Sequence, residues 1–409
     1  LTSYDSLRVG VFESGIVEAS SSLQHLIDVE PTVLILDESH NIKSHRALRT
    51  IAVQTLALHV DKRILLSGTP ILNRPSELYT QLEVLQQDQF MPWWYYQYRF
   101  CDVQSGRWGL DDRGASDTGE LHLELINSCM VRRRKEEVLH DLPDIVSIPI
   151  NVTLTNAGDY RMAEDVFLLW LAEECKRDPK FLESIEGLPK TEQEERKADY
   201  SSGVVYRASR AEALVKLTRL KLVAARGKIE AFRDWVTDII GSYDEKVICF
   251  HHHSEIANLV NISVPFKSAS IVSSLTPKQR KNEVDRFQND PDVKLMNCSL
   301  NVGGVGFNMT SSHVVAFLEF PWSSTIMDQA ISRAHRMGQE ETVRSFSFIG
   351  ENTIDEHIID LINKKRRIFN EIINGTETGD TPSMLKEVLR IFLGQTDYSR
   401  SKEGENDEG

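Results

Sequence analysis

No apolar run in the sequence approaches the roughly 18 to 20 residues that a helix needs to cross a bilayer. There is no secretory leader pattern either, because Leu1-Thr2-Ser3-Tyr4-Asp5 has no basic region followed by an apolar core. Cysteine is scarce and scattered. Cys101, Cys129, Cys175, Cys249 and Cys298 include no Cys-x-x-Cys pair, which speaks against a cysteine-built zinc site and reads as the reduced thiols of an intracellular protein. Basic charge is in deficit: 47 Lys and Arg stand against 61 Asp and Glu, for a formal net charge of −14. That disfavours a protein that coats nucleic acid by bulk charge, since phosphate contacts need clustered Lys and Arg. It leaves open a basic groove on an acidic body. The first residue is Leu rather than Met, and the expectation is that the earliest residues are missing.

What is present is the composition of a folded protein, 41% apolar and 26% charged. At about 150 residues per domain, this length implies two or three domains. Thr32 to Leu36 is a short β-branched and apolar run, expected to be a buried parallel strand. A helical stretch over 44–59 follows, then a strand over 63–66 and a helix opening near Pro75-Ser76-Glu77. Strands separated by helices imply an α/β layered domain. Residues 88–120 concentrate Trp93, Trp94 and Trp108, and 176–203 is a charged stretch poor in large apolar groups. A long helical pattern over 207–240 leads out of it. The βα alternation then resumes, with strands expected over 247–250, 293–296, 314–318 and 343–348. Helices are expected over 277–287, 325–336 and 354–373.

Asp37-Glu38-Ser39-His40 follows directly on the first strand, where parallel sheets place ligand sites. An aspartate there can hold Mg²⁺, and the adjacent glutamate can orient or deprotonate a water that attacks a phosphate. The plainer reading is an acidic helix N-terminus favoured by the helix dipole. Ser67-Gly68-Thr69-Pro70 again follows a strand, and alone is a turn signal. Gln329, Arg333 and Arg336 are spaced to share one helix face, either a solvated basic face or a source of an arginine aimed at a phosphate. Gly303-Gly304-Val305-Gly306 is a glycine-rich loop whose backbone can approach a phosphate closely.

The blocks D-E-S-H, L-L-S-G-T-P-I-L-N, N-V-G-G-V-G-F-N-M and D-Q-A-I-S-R-A-H-R-M-G-Q occur in the order that superfamily-two helicase-like ATPases use. The R-x-x-R-M-G-Q ending resembles the Swi/Snf branch, as do Met130 to Lys135 leading to Leu142-Pro143, Leu1 to Leu7, and Thr353 to Ile358. The resemblance covers nearly the whole chain. It implies an α/β fold of two RecA-like parallel-sheet lobes with a helical inter-lobe region. Residues 1–150 would be the C-terminal part of the first lobe, 151–240 a helical linker with a charged insertion, and 241–375 the second lobe. Residues 376–409 would be a partly disordered extension. The implied activity is ATP hydrolysis with Mg²⁺, coupled to movement along double-stranded DNA by backbone contacts of low sequence specificity. Asp37 would bind Mg²⁺, Glu38 would position the attacking water, and His40 would link the acid box to the opposite side of the cleft. Ser67, Gly68 and Thr69 would couple nucleotide state to DNA grip. Arg333 and Arg336 would reach the phosphates, with Arg336 the better finger candidate. Gly304 and Gly306 would lie close to the nucleotide, and Gln339 would help to join the nucleotide and DNA sites. Location would be cytoplasmic in a prokaryotic or viral protein and nuclear in a eukaryotic one.

The chain departs from the family pattern at the phosphate loop. No G-x-x-x-x-G-K-[ST] occurs: Gly227-Lys228 is followed by Ile229, and Gly187-Leu188-Pro189-Lys190-Thr191 lacks the adjoining Gly. Truncation is the expected cause, and a chain without the loop is expected to hydrolyse ATP poorly. A non-hydrolysing helicase-like scaffold is the alternative. Ser299-Leu300-Asn301-Val302 replaces the family's small and basic run before the glycines, which puts one DNA contact in doubt. His251-His252-His253 ends a strand without supporting ligands at a metal-site spacing. The tryptophans are expected to serve packing more than base stacking.

Overall fold

The computed structural model describes residues 2–7, 10–11, 17–18, 20–86, 91–106, 109–112, 114–176, 189, 193, 210–300 and 306–375. Most of the charged stretch and all of the extension from 376 lie outside them. The chain forms two compact units, Leu1–Arg132 together with the stretch from Lys364, and Arg133–Asn363. The first break therefore falls before the boundary expected at 150.

In the first unit, Val33–Asp37 (β1) and Lys62–Leu66 (β2) pair in parallel from Val33↔Lys62 to Asp37↔Leu66. The helix Leu48–Ala57 makes the crossover between them and buries Val53 and Ala57 with Leu36, Ile42 and Val84. The helix Ser76–Gln86 follows β2, as the Pro-Ser-Glu signal predicts. A second cluster gathers Ile71, Leu78, Tyr96, Phe100, Leu121 and Leu125 with Ile368, Ile372 and Ile373 from the helix Ile354–Asn374. The expectation of a buried first strand needs correction. Only Leu36 of β1 is buried, and Ile35 is 59% exposed, because β1 and β2 form a two-stranded sheet with one face uncovered among the described residues.

The second unit is built on a six-stranded, all-parallel sheet. Its strands are Ile145–Val152 (β3), Val247–His251 (β4), Lys267–Ile271 (β5), Val293–Ser299 (β6), Val314–Phe317 (β7) and Val343–Gly350 (β8), in the order β3-β8-β7-β4-β6-β5. Every residue of β4 and β7 is buried, as apolar runs in a sheet covered on both faces should be. Alternation sorts β4 cleanly. Val247 and Cys249 pack with Phe232, Val236 and Ile240, while Ile248 and Phe250 pack with Tyr160, Leu217 and Phe287. The helices Ala157–Lys176, Arg210–Gly227 and Ile229–Tyr243 therefore belong to this unit's two cores rather than to a separate linker.

Candidate functional site

β1 delivers Asp37 to the carboxyl end of its sheet, with both Asp37 and Glu38 exposed. The Asp37 carboxylate accepts the Glu38 N–H at 3.0 Å, and its carbonyl accepts the Tyr4 hydroxyl at 2.8 Å. Burial, with the Asp37 and Glu38 charges added, pushes the Tyr4 phenol up to about 12, so it remains a donor at neutral pH. Glu38 has φ +50°, a left-handed conformation that costs a non-glycine residue about 1 to 3 kcal/mol. That turn starts the single 3₁₀ turn Ser39–Ile42 and directs the next two side chains inward.

Those two side chains stitch the acid box to the Ser67-Gly68-Thr69-Pro70 loop. His40 Nδ1 lies 3.3 Å from Ser67 Oγ and 3.3 Å from a Glu38 carboxylate oxygen. Burial pulls the imidazole below its ordinary pKa, with Glu38 opposing. Ser67 Oγ also accepts the Thr69 N–H at 3.1 Å. The buried Ser39 hydroxyl donates to Gln81 Oε1 at 2.7 Å, and Gln81 Nε2 donates to the Pro70 carbonyl at 2.7 Å. Glu77, one turn earlier on the same helix, accepts the Leu72 and Asn73 N–H groups at 3.0 and 2.9 Å. Gly68 presents its carbonyl to Arg132 Nη1 at 3.5 Å, and a Cβ there would meet nothing within 4 Å. Steric space does not demand this glycine.

The expected residues of the second unit are placed differently from the helix-face reading. The helix Ser324–Ile331 carries Gln329 but ends before the arginines, and tight turns follow, with the His335 N–H bonded to the Ile331 carbonyl at 3.0 Å. Arg333 is buried and Arg336 exposed, so the three side chains do not share one face. The turn is held from outside: the Pro143 carbonyl lies 2.6 Å from His335 Nε2, and Lys135 Nζ donates to the His335 carbonyl at 3.0 Å. Gln339 is committed to backbone. Its amide N–H group donates to the carbonyls of Thr310, Ser312 and Ala334, and its oxygen accepts the Glu340 and Glu341 N–H groups. Gly306 has φ +68°, where glycine is needed, while Gly303 and Gly304 lie outside the described residues.

His251 is wholly buried at the end of β4, and burial pulls its imidazole down to about 4; the same cause takes His252 to about 4. His253 Nδ1 meets buried Glu319 at 2.5 Å, and the same carboxylate accepts the His252 and His253 N–H groups at 2.7 and 2.8 Å. Burial would raise the Glu319 carboxyl, but these His253 contacts outweigh it and hold it below the usual range. Trp93 packs against Tyr79 and Tyr96, Trp94 is 69% exposed, and Trp108 lies outside the described residues. The sequence reading missed Tyr4, Glu77 and Gln81. A polar stripe of Ser76, Glu77, Thr80 and Gln81 on one helix was the available signal, and all four prove to be buried.

Residues 1–164 match the SNF2-related domain, and residues 227–338 match the helicase conserved C-terminal domain. The human DNA annealing helicase and endonuclease ZRANB3 is 30% identical over 352 residues, which is 84% of this chain and 30% of that protein. A Caenorhabditis elegans homologue of the SWI/SNF-related matrix-associated actin-dependent regulator of chromatin subfamily A-like protein 1 is 28% identical over 358 residues, 84% of this chain and 46% of that one. Among solved structures, the Sulfolobus solfataricus SWI2/SNF2 ATPase core in complex with dsDNA aligns with a TM-score of 0.41 and 22% identity, over 86% of this chain and 72% of that chain. The chain spans about a third of the length of the first of these curated relatives.

Proposed function

Because the chain belongs to the Swi/Snf-related, helicase-like family, we propose that it is motor machinery of an ATP-dependent translocase on double-stranded DNA. The observation that carries the reading is the acid box at the end of β1, fixed to the 67–70 loop through Ser39–Gln81–Pro70 and through His40–Ser67. The donor set fits Mg²⁺, an ion that takes one or two carboxylates and completes its shell with water and phosphate oxygens. Asp37 would hold the ion, which supplies charge neutralisation at the phosphates when bound. Glu38 takes the role of orienting the attacking water and accepting its proton. Arg333 and Arg336 supply positive charge, with the exposed Arg336 the more available. Gln339, with its amide committed to backbone, is a positioning residue for the turn after Ala334. The DNA partner accords with the DNA annealing activity in the name of the ZRANB3 relatives.

Measuring ATP turnover of the full-length protein with and without duplex DNA tests the reading. Turnover stimulated by duplex is expected, and Glu38→Gln should abolish it while leaving nucleotide binding near wild type. An absence of DNA stimulation in active protein overturns the translocase reading. The alternative reading is a non-hydrolysing helicase-like scaffold. Turnover indistinguishable from Glu38→Gln would favour it.

A further inference from the structure

Lys365 lies far along the chain, in the part of the helix Ile354–Asn374 that belongs to the first unit. Its Nζ donates to Asn73 Oδ1 at 3.0 Å. Asn73 Nδ2 in turn donates to Glu77 Oε1 at 2.9 Å, and Glu77 Oε2 takes the Leu72 and Asn73 N–H groups. Glu77 Oε1 also stands 3.4 Å from Lys43 Nζ, the residue after the 3₁₀ turn of the acid box. One turn further on the same helix, Gln81 ties Pro70 to Ser39. Bonded groups thus run without a gap from Lys365 through the 67–74 loop to Ser39.

The same stretch of helix reaches the other end of that loop. Arg132 Nε donates to Asn374 Oδ1 at 3.3 Å while its Nη1 reaches the Gly68 carbonyl. The stretch is itself well anchored. Ile372 and Ile373 are buried, Thr118 Oγ1 donates to Glu371 Oε2 at 2.8 Å, and the Ile372 carbonyl lies 2.9 Å from His122 Nδ1. A lysine present only for packing is a poor choice here. Its site is partly dry, and loss of water pulls its pKa down to about 8, with Lys43 and Arg74 adding to the effect and Glu77 opposing it. Glu77 already has Lys43 as a counter-charge, and the Lys365 hydrogen bond goes to an uncharged amide in the loop. Burying an ammonium group costs free energy, and the hydrogen bond to Asn73 offsets part of it.

We infer that Lys365 is a positioning residue for ATP hydrolysis, holding through Asn73 and Glu77 the loop against which the acid box is fixed. The inference rests on the reading of Asp37 and Glu38 as a hydrolytic site. Small displacements of a catalytic carboxylate cost rate far more than binding.

The test uses the full-length protein and its DNA-stimulated turnover. Lys365→Met should lower kcat about tenfold with the KM for ATP within about twofold, and Lys365→Arg should recover most of the loss. In Lys365→Met the Leu72 and Asn73 amides should exchange faster, while those of β4 keep their protection. Unchanged kcat in folded Lys365→Met, or Lys365→Arg no better than Lys365→Met, overturns the role. If Lys365→Met fails to fold, Asn73→Ala cuts the same bond from the other side and must show the same kcat loss; full activity there overturns the role. Active wild type with unaffected variants removes this inference alone, whereas inactive wild type removes the hydrolytic reading and the role with it.

Discussion

Gln81 joins the two motif loops of the first unit, yet in the sequence it is one polar residue in the middle of a helix. Its amide is used at both ends, accepting from Ser39 and donating to the Pro70 carbonyl, and it is 2% exposed. Gln81→Leu keeps the volume and removes both bonds. It leaves a buried hydroxyl and a carbonyl short of a partner, a loss of about 1 to 3 kcal/mol. The expected result is a lower denaturant midpoint for the first unit together with reduced turnover. A midpoint equal to wild type would show that water replaces the amide without cost. Asp37, Glu38 and His40 could be picked out in the sequence because their chemistry and order are distinctive. Gln81 could not, because it ties the Ser39 hydroxyl to a backbone carbonyl, and every residue type presents a carbonyl. The helix-face reading of Arg333 and Arg336 went astray for a related reason. Spacing describes a helix only while the helix lasts, and nothing in Ile331-Ser332-Arg333 announces that it stops.

At the scale of elements, β4, β6, β7 and β8 were legible as apolar runs, whereas β3 and β5 were not. β5 reads Lys-Ser-Ala-Ser-Ile, and β3 contains Pro149, which argues against a central strand. Its place at the sheet edge, where among the described residues it pairs only with β8, is where such a residue is tolerated. The central strand β4 carries a consequence for pH. Its last residue, His251, has a folded pKa of about 4 against an ordinary 6.5, with burial the main cause. Between those values the unfolded chain binds more protons than the folded one, so stability falls as pH falls. The contribution is complete above pH 6.5 and lost as pH drops through about 4, and a shift of that size is worth ~3 kcal/mol. The second unit should therefore weaken steeply between pH 6.5 and 4. Trp235, packed on Phe346 and Phe348, reports its unfolding by fluorescence. His251→Phe should make that acid limb shallower, with His252, lowered by the same cause, supplying part of what remains, and a variant with the wild-type pH dependence would assign it to other groups.

For the whole molecule, two opposed features set how it behaves in solution. The formal charge of −14 makes copies repel. Against this, Val33, Ile35, Ile64 and Leu66 lie on one face of the β1–β2 sheet, with exposures of 42, 59, 47 and 48%. Paired parallel strands with an apolar face that is open among the described residues are a template for association. Salt decides between the two, because the repulsion is long-ranged and the apolar contact is not. At about 0.01 M ionic strength the screening length is roughly 30 Å, and charge should keep residues 1–409 monomeric; at about 1 M it is roughly 3 Å, and the apolar face should prevail. Light scattering against salt is therefore expected to rise for this chain, accompanied by binding of an apolar dye. Ile35→Thr combined with Ile64→Thr should remove most of that rise, because these two residues are directly paired across the strands. The same substitutions should leave the Trp235 unfolding transition of the second unit where it was. A salt-dependent rise that persists in the double variant would place the sticky surface elsewhere, with the exposed Trp94, Tyr95 and Tyr98 the next to substitute.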